Sequence, residues 1–199
     1  MPASILYYIR HGETEWNATG RLQGTLDVPL NERGRRQAAD AGAILAELLV
    51  QDRRDKAALS FVASPLGRAR ATMELVRRKL KLPADGYATD DRLREIGYGK
   101  WEGSTLAEMQ AADPVFFARR QLEKWTVAAP GGETYAAVQI RVRDWYFSLR
   151  ADTVAVAHGG TARALMVALG LETPESAADL FIEQGAVYVF GDGGLKKYS

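Results

Sequence analysis

A run of five apolar residues near the start of the chain constrains the fold more than any other stretch. Ile5-Leu6-Tyr7-Tyr8-Ile9 carries no charge and no break, which is typical of a strand buried on both faces of a sheet. The run ends in Arg10-His11-Gly12. In an open α/β sheet, ligands bind beyond the carboxyl ends of the strands. A cation, a candidate nucleophile and a glycine therefore stand where a binding site is expected.

The second of the chain's two histidines has the same surroundings. Val154-Ala155-Val156-Ala157 predicts another short buried strand, and His158-Gly159-Gly160 follows it. A single histidine in such a place is more often a hydrogen-bonded core residue than a ligand. Two histidines at strand ends, each before glycine and one beside an arginine, indicate instead a two-histidine site for an anion.

Composition limits the function classes. With 26 Lys and Arg against 25 Asp and Glu, the net charge is +1, so no global field attracts nucleic acid or membrane. The absence of cysteine excludes disulfides, thiolate zinc sites and cysteine-based phosphatase chemistry. The length fits a single domain over residues 1–199. The first four residues lack a basic leader and the apolar run is short, so we expect a soluble, cytoplasmic protein.

Predicted strands and helices alternate along the rest of the chain, which favours an α/β sandwich with a mostly parallel sheet. In order, the pattern predicts a polar loop at 13–27, a helix after the N-cap Asn31, a strand at 59–63, a helix capped by Ser64, a short strand at 87–89, an insertion at 104–130 with one or two short helices, a helix after the N-cap Thr134, a helix at 161–169, and a hairpin of 186–190 with 195–198 across Gly191-Asp192-Gly193-Gly194. The hairpin gives the sheet an antiparallel edge. The insertion is a candidate lid.

Arg68 follows the third of these strand ends. It lies in the first turn of a helix, where a positive charge opposes the helix dipole. Arg68 and Arg70 could simply be a solvated pair of arginines. Because Arg68 stands at a strand end, we favour its reaching an anion bound at the helix N-terminus.

Glu95 is the candidate carboxylate. It lies between Leu93 and Ile96 in a glycine-rich segment, and the local sequence leaves a salt bridge and a catalytic role equally open. Together with the cations, the strand ends offer the parts of a phosphoryl-transfer site. The guanidiniums of Arg10 and Arg68 match phosphate oxygens, and helix amides beyond Gly159 can bind an anion.

These groups suggest a two-step reaction. Cations around His11 push its pKa down and keep it neutral, so its ring nitrogen can attack phosphorus and form a phosphohistidine. Glu95 would give a proton to the leaving alcohol and then take one from water. A phosphate dianion beside Glu95 would favour its protonated form for the first step.

The chain resembles the histidine phosphatase superfamily, the phosphoglycerate-mutase-like enzymes, over nearly its whole length. The motifs that carry the resemblance are Arg10-His11-Gly12-Glu13-Thr14, Trp16-Asn17, Gly20-Arg21-Leu22-Gln23-Gly24, Asp27-Val28-Pro29-Leu30, Gly34, Gln37-Ala38, Ser64-Pro65-Leu66, Arg68-Ala69, Thr72, Leu93-Arg94-Glu95-Ile96, Trp101-Glu102-Gly103, Gly131-Gly132-Glu133 and His158-Gly159-Gly160. A mild departure is Gln184, where many members carry asparagine; it bears on packing more than on chemistry.

The resemblance implies a three-layer α/β/α sandwich and a role for each site residue. It makes His11 the phosphorylated nucleophile and Glu95 the proton donor. The phosphate pocket is implied to consist of Arg10, Arg68 and His158, lined also by Asn17. Gln23 and Gly24 are implied to border the substrate, beside the amides at Gly159.

We therefore expect a phosphomonoester hydrolase that needs neither metal nor cofactor and acts on a small phosphorylated metabolite. A cofactor-dependent phosphoglycerate mutase is the alternative, although the short insertion and the end of the chain at Ser199 favour a hydrolase. A two-histidine, one-carboxylate metal site is disfavoured because Arg10 and Arg68 would repel a cation. An inactive binding protein is also open. The substrate, a homodimer paired through a sheet edge, and the role of 104–130 are not determined by the sequence.

Overall fold

The computed structural model describes residues 4–191 and 194–199. Its strands are β1 (Leu6–Arg10), β2 (Ser60–Ala63), β3 (Ala88–Thr89), β4 (Thr153–Ala157), β5 (Val187–Gly191) and β6 (Gly194–Tyr198). Its α-helices are α1 (Glu15–Ala18), α2 (Glu32–Gln51), α3 (Gly67–Lys79), α4 (Leu106–Ala112), α5 (Pro114–Leu122), α6 (Tyr135–Ser148), α7 (Gly159–Ala168) and α8 (Pro174–Asp179). Single 3₁₀ turns lie at Lys56–Ala58, Asp91–Leu93 and Gly99–Trp101.

The six strands form one sheet in the order β3-β2-β4-β1-β5-β6. The first four are parallel, and β5 and β6 run antiparallel to their neighbours. This confirms the predicted α/β fold with a mostly parallel sheet and an antiparallel edge. Of the predicted hairpin turn, Asp192 and Gly193 lie outside the described residues.

Helices cover both faces of the sheet because its central strands are apolar on both sides. In β1, Leu6 and Tyr8 belong to the hydrophobic cluster under α6 and α7. Tyr7 and Ile9 belong to the cluster under α2 and α3. The alternation of side chains along a strand thus divides one apolar run between two cores, giving the expected three layers.

The register of the two central strands places both histidines at one edge. Arg10 of β1 lies opposite Ala157 of β4, so His11 and His158 leave neighbouring parallel strands at the same level. The main chain continues the pairing by one bond, from the amide of His11 to the carbonyl of Ala157 at 2.9 Å.

Asn31 and Thr134 cap α2 and α6 through their side chains, as predicted. The prediction that Ser64 caps α3 is wrong. That helix begins at Gly67, so Leu66 occupies the N-cap position and provides no side-chain cap. Ser64 lies two residues before that position, where its hydroxyl bonds to His158 Nε2 at 2.7 Å and accepts from the amide of Leu66 at 3.4 Å.

Three further differences concern short elements. The predicted loop at 13–27 contains α1, since Thr14 and Asn17 form a capping box there. The helix α7 begins at Gly159, two residues earlier than predicted, so both glycines lie in its first turn. Helix α8 was not predicted, although Thr173 caps it and Pro174 is its first residue.

The segment at 104–130 contains the two short helices α4 and α5. Met109 and Phe117 are buried, and the ring of Trp101 lies 5.7 Å from that of Phe116. Among the described residues, no helix is long and apolar enough to cross a membrane.

Candidate active site

His11 is buried at the end of β1, with 2% of its surface exposed. Its Nδ1 lies 2.8 Å from the carbonyl oxygen of Gly12, and Nε of Arg68 donates to its Nε2 at 3.3 Å. A guanidinium N–H can only donate, so Nε2 is the acceptor and Nδ1 carries the proton. The tautomer leaves a lone pair on Nε2.

The protonation of His11 follows from its surroundings. Its pKa lies well below the usual 6.5, first because burial disfavours the charged ring and then because Arg68 and Arg10 are close. His11 is therefore neutral at pH 7, although burial contributes more to the lowered pKa than the cations on which the sequence argument relied. A neutral imidazole has a lone pair that is able to attack an electrophile.

Arg68 is fixed by main-chain carbonyls. Its side chain is fully buried, Nη1 donates to Leu26 O at 2.7 Å and Nη2 to Gly24 O at 2.8 Å. The nearest carboxylate oxygen, of Asp27, is 4.0 Å away. Gly24 has φ of +53°, and a Cβ there would lie 2.1 Å from a carboxylate oxygen of Glu102. The loop therefore requires glycine where it supports the arginine.

Arg10 and His158 each present a buried nitrogen with no hydrogen-bond partner in the described part of the chain. These atoms are Arg10 Nε and His158 Nδ1. Arg10 Nη1 donates to Ile182 O at 2.5 Å. Buried polar atoms are rarely left unpaired, so both nitrogens are suited to a ligand. A phosphate oxygen accepts from an arginine N–H, and a protonated Nδ1 would also donate to it.

His158 is fully buried, and its ring lies 5.1 Å from that of His11. Burial, followed by the charge of Arg68, holds the pKa of His158 well below 6.5. Its Nε2 is bonded to Ser64 Oγ. The site thus contains two neutral imidazoles side by side.

Glu95 is held at the N-terminus of α7. Its Oε1 accepts from the amide of Ile96 at 2.9 Å, and its Oε2 accepts from the amide of Gly160 at 3.2 Å. A Cβ on Gly160 would come within 2.4 Å of Oε1. Glycine is required at 160 because the carboxylate packs against the helix backbone.

A cavity of about 170 Å³ connects these groups. Its lining is Arg10, His11, Asn17, Arg21, Leu22, Gln23, Gly24, Arg68, Glu95, Tyr98, Gly159 and Arg163. The predicted site residues thus lie together, except that His158, buried with its ring 5.1 Å from that of His11, is not among the residues that line the cavity. Gln184, the departure from the family pattern, donates to Asn17 Oδ1 at 3.1 Å, so it contacts a cavity residue.

Sequence reasoning gave no role to four lining residues: Arg21, Leu22, Tyr98 and Arg163. The first two lie in a motif that was recognised but assigned roles only at its Gln23-Gly24 end. Arg163 follows Gly159 by four residues on α7, and residues at that spacing share a helix face. Attention to this spacing in the sequence would have identified Arg163 as a candidate site residue. Among the described residues, no group of three or more His, Asp or Glu side chains is placed to hold a metal ion.

Comparison with known proteins gives a consistent result. The family model of the histidine phosphatase superfamily (branch 1) matches residues 6–194. Phosphoserine phosphatase 1 of Hydrogenobacter thermophilus is 34% identical over 169 residues, covering 82% of this chain and 75% of that protein. The 2,3-bisphosphoglycerate-dependent phosphoglycerate mutase 2 of Gloeobacter violaceus is 30% identical over 190 residues, covering 90% of this chain and 82% of that protein.

A solved structure matches over almost the full length. It is the mycobacterial glucosyl-3-phosphoglycerate phosphatase Rv2419c complexed with VO3, with a TM-score of 0.78 and 30% identity. The match covers 98% of both chains. The family model and the structural match thus lead to the same family.

Proposed function

The chain belongs to branch 1 of the histidine phosphatase superfamily and is a phosphomonoester hydrolase, and we propose that its reaction passes through a phosphohistidine at His11. One observation carries this proposal. The Nε2 lone pair of a neutral, buried imidazole lies 3.3 Å from the guanidinium of Arg68. A phosphoryl group attacked by that nitrogen would have its oxygens beside the arginine's N–H groups.

In the first step, Nε2 of His11 attacks phosphorus in line with the ester oxygen. The P–N bond forms, the P–O bond breaks, and its electron pair leaves with the alcohol oxygen, which takes a proton from Glu95. The phosphorylated ring becomes positively charged. Its Nδ1–H donates to Gly12 O, which stabilises that charge.

In the second step, water attacks phosphorus and gives a proton to Glu95. The P–N bond breaks, its electron pair returns to Nε2, and inorganic phosphate leaves. Arg10, Arg68 and His158 are proposed to bind the equatorial oxygens in both steps. Catalysis then depends on positioning and on charge stabilisation.

The size of the site supports a small substrate. The cavity of about 170 Å³ is below the 300–1,000 Å³ usual for drug-sized ligands. A second cavity of about 460 Å³ shares Glu95 and extends over Gly97, Gly131 and Gly132, which leaves room for a larger leaving group. Relatives are named for phosphoserine and glucosyl-3-phosphoglycerate. We propose that a small phosphorylated metabolite of this kind is hydrolysed, with Asn17, Gln23, Gly24 and Gly159 around it.

The remaining expectations belong to this proposal. They are that the enzyme is cytoplasmic, acts without metal or cofactor, binds no nucleic acid and can pair into a homodimer. We also propose that the 104–130 segment, within a single domain over 1–199, acts as a lid on the cavity through Trp101 and its neighbours.

A phosphoglycerate mutase is the second candidate, favoured by the relative of that name. Such an enzyme uses the same phosphohistidine but returns the phosphoryl group to the bound acid rather than to water. The two are distinguished by whether phosphate is released or 3-phosphoglycerate is isomerised when 2,3-bisphosphoglycerate is supplied.

The test is a steady-state assay on p-nitrophenyl phosphate and a panel of metabolite phosphomonoesters, in EDTA without added metal. We expect turnover that His11→Ala abolishes. Glu95→Gln should slow alkyl phosphates more than p-nitrophenyl phosphate, because nitrophenolate leaves without a proton. Metal-dependent turnover, or activity that survives His11→Ala, would refute the proposal. Isomerisation without net hydrolysis would replace it by the mutase.

A further inference from the structure

The 180–184 segment joins α8 to β5 and forms neither helix nor strand. It takes no part in the proposed reaction itself. Every second residue of it nevertheless bonds to a side chain that lines the cavity: Leu180 O accepts from Arg163 Nε at 2.8 Å, Ile182 O accepts from Arg10 Nη1 at 2.5 Å, and Gln184 Nε2 donates to Asn17 Oδ1 at 3.1 Å. Of these three contacts, only that of Gln184 comes from a side chain, so it is the one that a substitution can remove.

The segment is itself held in place. Ile182 is fully buried whereas Phe181 is 73% exposed, so successive side chains alternate between core and solvent as they do in an extended chain. The amide of Glu183 donates to Tyr188 Oη at 2.7 Å, which ties the segment to β5. Gln184 therefore stands at a defined position beside the cavity.

The contacts of the Asn17 side chain show which end of its amide is which. The main-chain amide and the hydroxyl of Thr14 both donate to Asn17 Oδ1 at 3.2 Å. Because a main-chain N–H can only donate, the atom that it meets is the carbonyl oxygen of Asn17. The group that Gln184 presents to the same oxygen must then be its NH2 group. Oδ1 is thus surrounded by three donors.

The Nδ2 group of Asn17 is left for a ligand. Within residues 4–191 and 194–199 it has no hydrogen-bond partner, and Asn17 lines the cavity. The oxygens of a phosphate dianion are acceptors, so they bind an NH2 group but repel a carbonyl oxygen. The orientation of this amide therefore decides whether Asn17 favours or opposes the binding of phosphate.

We propose that Gln184 is a positioning residue, which acts through Asn17 by keeping the Nδ2 group of that side chain turned towards the phosphoryl oxygens. From the sequence, Gln184 was expected to bear on packing more than on chemistry, and its contact with Asn17 gives it a chemical consequence instead. This inference rests on the proposed hydrolase function and adds a supporting residue to its phosphate site.

The test is a double-mutant cycle of Gln184→Met and Asn17→Ala, followed by kcat/KM on p-nitrophenyl phosphate. Methionine has about the length of glutamine but donates no hydrogen bond. We expect Gln184→Met to lower kcat/KM about 5-fold, the size of one net hydrogen bond. In the Asn17→Ala background the same change should have less than about a 2-fold effect, because the residue through which Gln184 acts is absent. The dissociation constant of inorganic phosphate, measured by calorimetry, completes the cycle without any need for turnover.

The control is Gln51→Met, because Gln51 is an exposed glutamine at the end of α2 that does not line the cavity. It should leave kcat/KM within about 2-fold. Two outcomes would overturn the inference: no effect of Gln184→Met on kcat/KM or on phosphate binding, or an equal loss with and without Asn17. An equal loss would assign Gln184 only a packing role.

Failure of this inference is distinguishable from failure of the proposed function. If the wild type hydrolyses p-nitrophenyl phosphate through His11 but the cycle shows no coupling between Gln184 and Asn17, only the inference fails. Absence of all turnover, or turnover that survives His11→Ala, would instead refute the hydrolase mechanism itself.

Discussion

The two ends of the cavity are built differently. The inner end is formed by Arg10, His11 and Arg68, with His158 buried next to His11. Its arginines and His11 are held largely by main-chain carbonyls. The outer end is formed by Arg21, Tyr98 and Arg163. There the side chain of Arg21 is 37% exposed and is paired with a carboxylate of α4, whereas the side chain of Arg68 is 0% exposed.

We therefore assign the phosphoryl chemistry to the inner end of the cavity and the choice of substrate to the outer end. Main-chain carbonyls move only when the fold moves, so the inner end keeps its geometry whichever alcohol is attached to the phosphate. The outer end depends on side chains from α4, α6 and α7, which can change without disturbing the strands. We expect changes at the inner end to affect all substrates alike, and changes at the outer end to affect them unequally.

Arg68→Met should give the largest effect. Loss of a buried donor to the transferring phosphoryl group costs about 10³-fold in kcat, and the loss should be equal for p-nitrophenyl phosphate, 3-phosphoglycerate and glycerol 3-phosphate. The matched control is Arg70→Met on the same helix, where the side chain is exposed and the change should be less than about 2-fold. A loss confined to one substrate would break the division between the two ends.

Gly160→Ala tests the boundary between the ends, where Glu95 lies. The added Cβ would meet Oε1 of Glu95 at 2.4 Å and the side chain of Ile96 at 2.8 Å, so Glu95, the proposed proton donor, must shift. We expect about a 10²-fold loss on glycerol 3-phosphate and a much smaller loss on p-nitrophenyl phosphate. Equal losses on both substrates would show that position 160 acts through the phosphate pocket instead.

The inner end was largely predictable from the sequence because its residues follow local signals. His11 and His158 are marked by apolar runs that stop at glycine, and Glu95 by a carboxylate in an apolar, glycine-rich context. What the local pattern could not give was the partner of Ser64. The contact with His158 joins residues 94 positions apart, so no local pattern indicates it.

The outer end was not predicted. Only Arg163 has a local signal, its helical spacing from Gly159, and that spacing does not show which other residues it meets. Tyr98 and Arg163 come from segments that meet only in the folded chain, and the pairing of Arg21 with Glu108 spans 87 positions. The close approach of Gly12 to Gly34, where a Cβ would lie 2.1 Å from a carbonyl oxygen, is of the same kind. Both glycines belong to recognised motifs, yet only the structure shows that two backbones touch there.

The smallest expected effect is the pH dependence of the free energy of unfolding. It tests whether the inner end is buried, because both histidines of the chain lie there. Their pKa values are held well below 6.5 in the folded protein. Below about pH 6.5 the unfolded chain binds protons that the folded one does not, so the free energy of unfolding falls as pH falls. The slope should be at most about 1.4 kcal/mol per pH unit for each histidine.

Urea unfolding between pH 5 and 7.5 measures this slope, and His11→Asn should remove about half of it. The difference between the two proteins isolates the histidine contribution, because carboxylates of the unfolded chain, with pKa values of about 4, begin to bind protons towards pH 5 in both proteins alike. A flat profile in the wild type would mean that the histidines are accessible to protons in the folded state, contrary to their burial.

The central claim is tested most directly by trapping the intermediate. The enzyme would be mixed with ³²P-labelled 3-phosphoglycerate and with labelled p-nitrophenyl phosphate, quenched in alkali within milliseconds, and digested for mass spectrometry. We predict label that is stable in alkali, lost in acid, located on Nε2 of His11 and absent from His11→Asn. Turnover of either substrate with no labelled histidine, or with the label on another residue, would contradict the account.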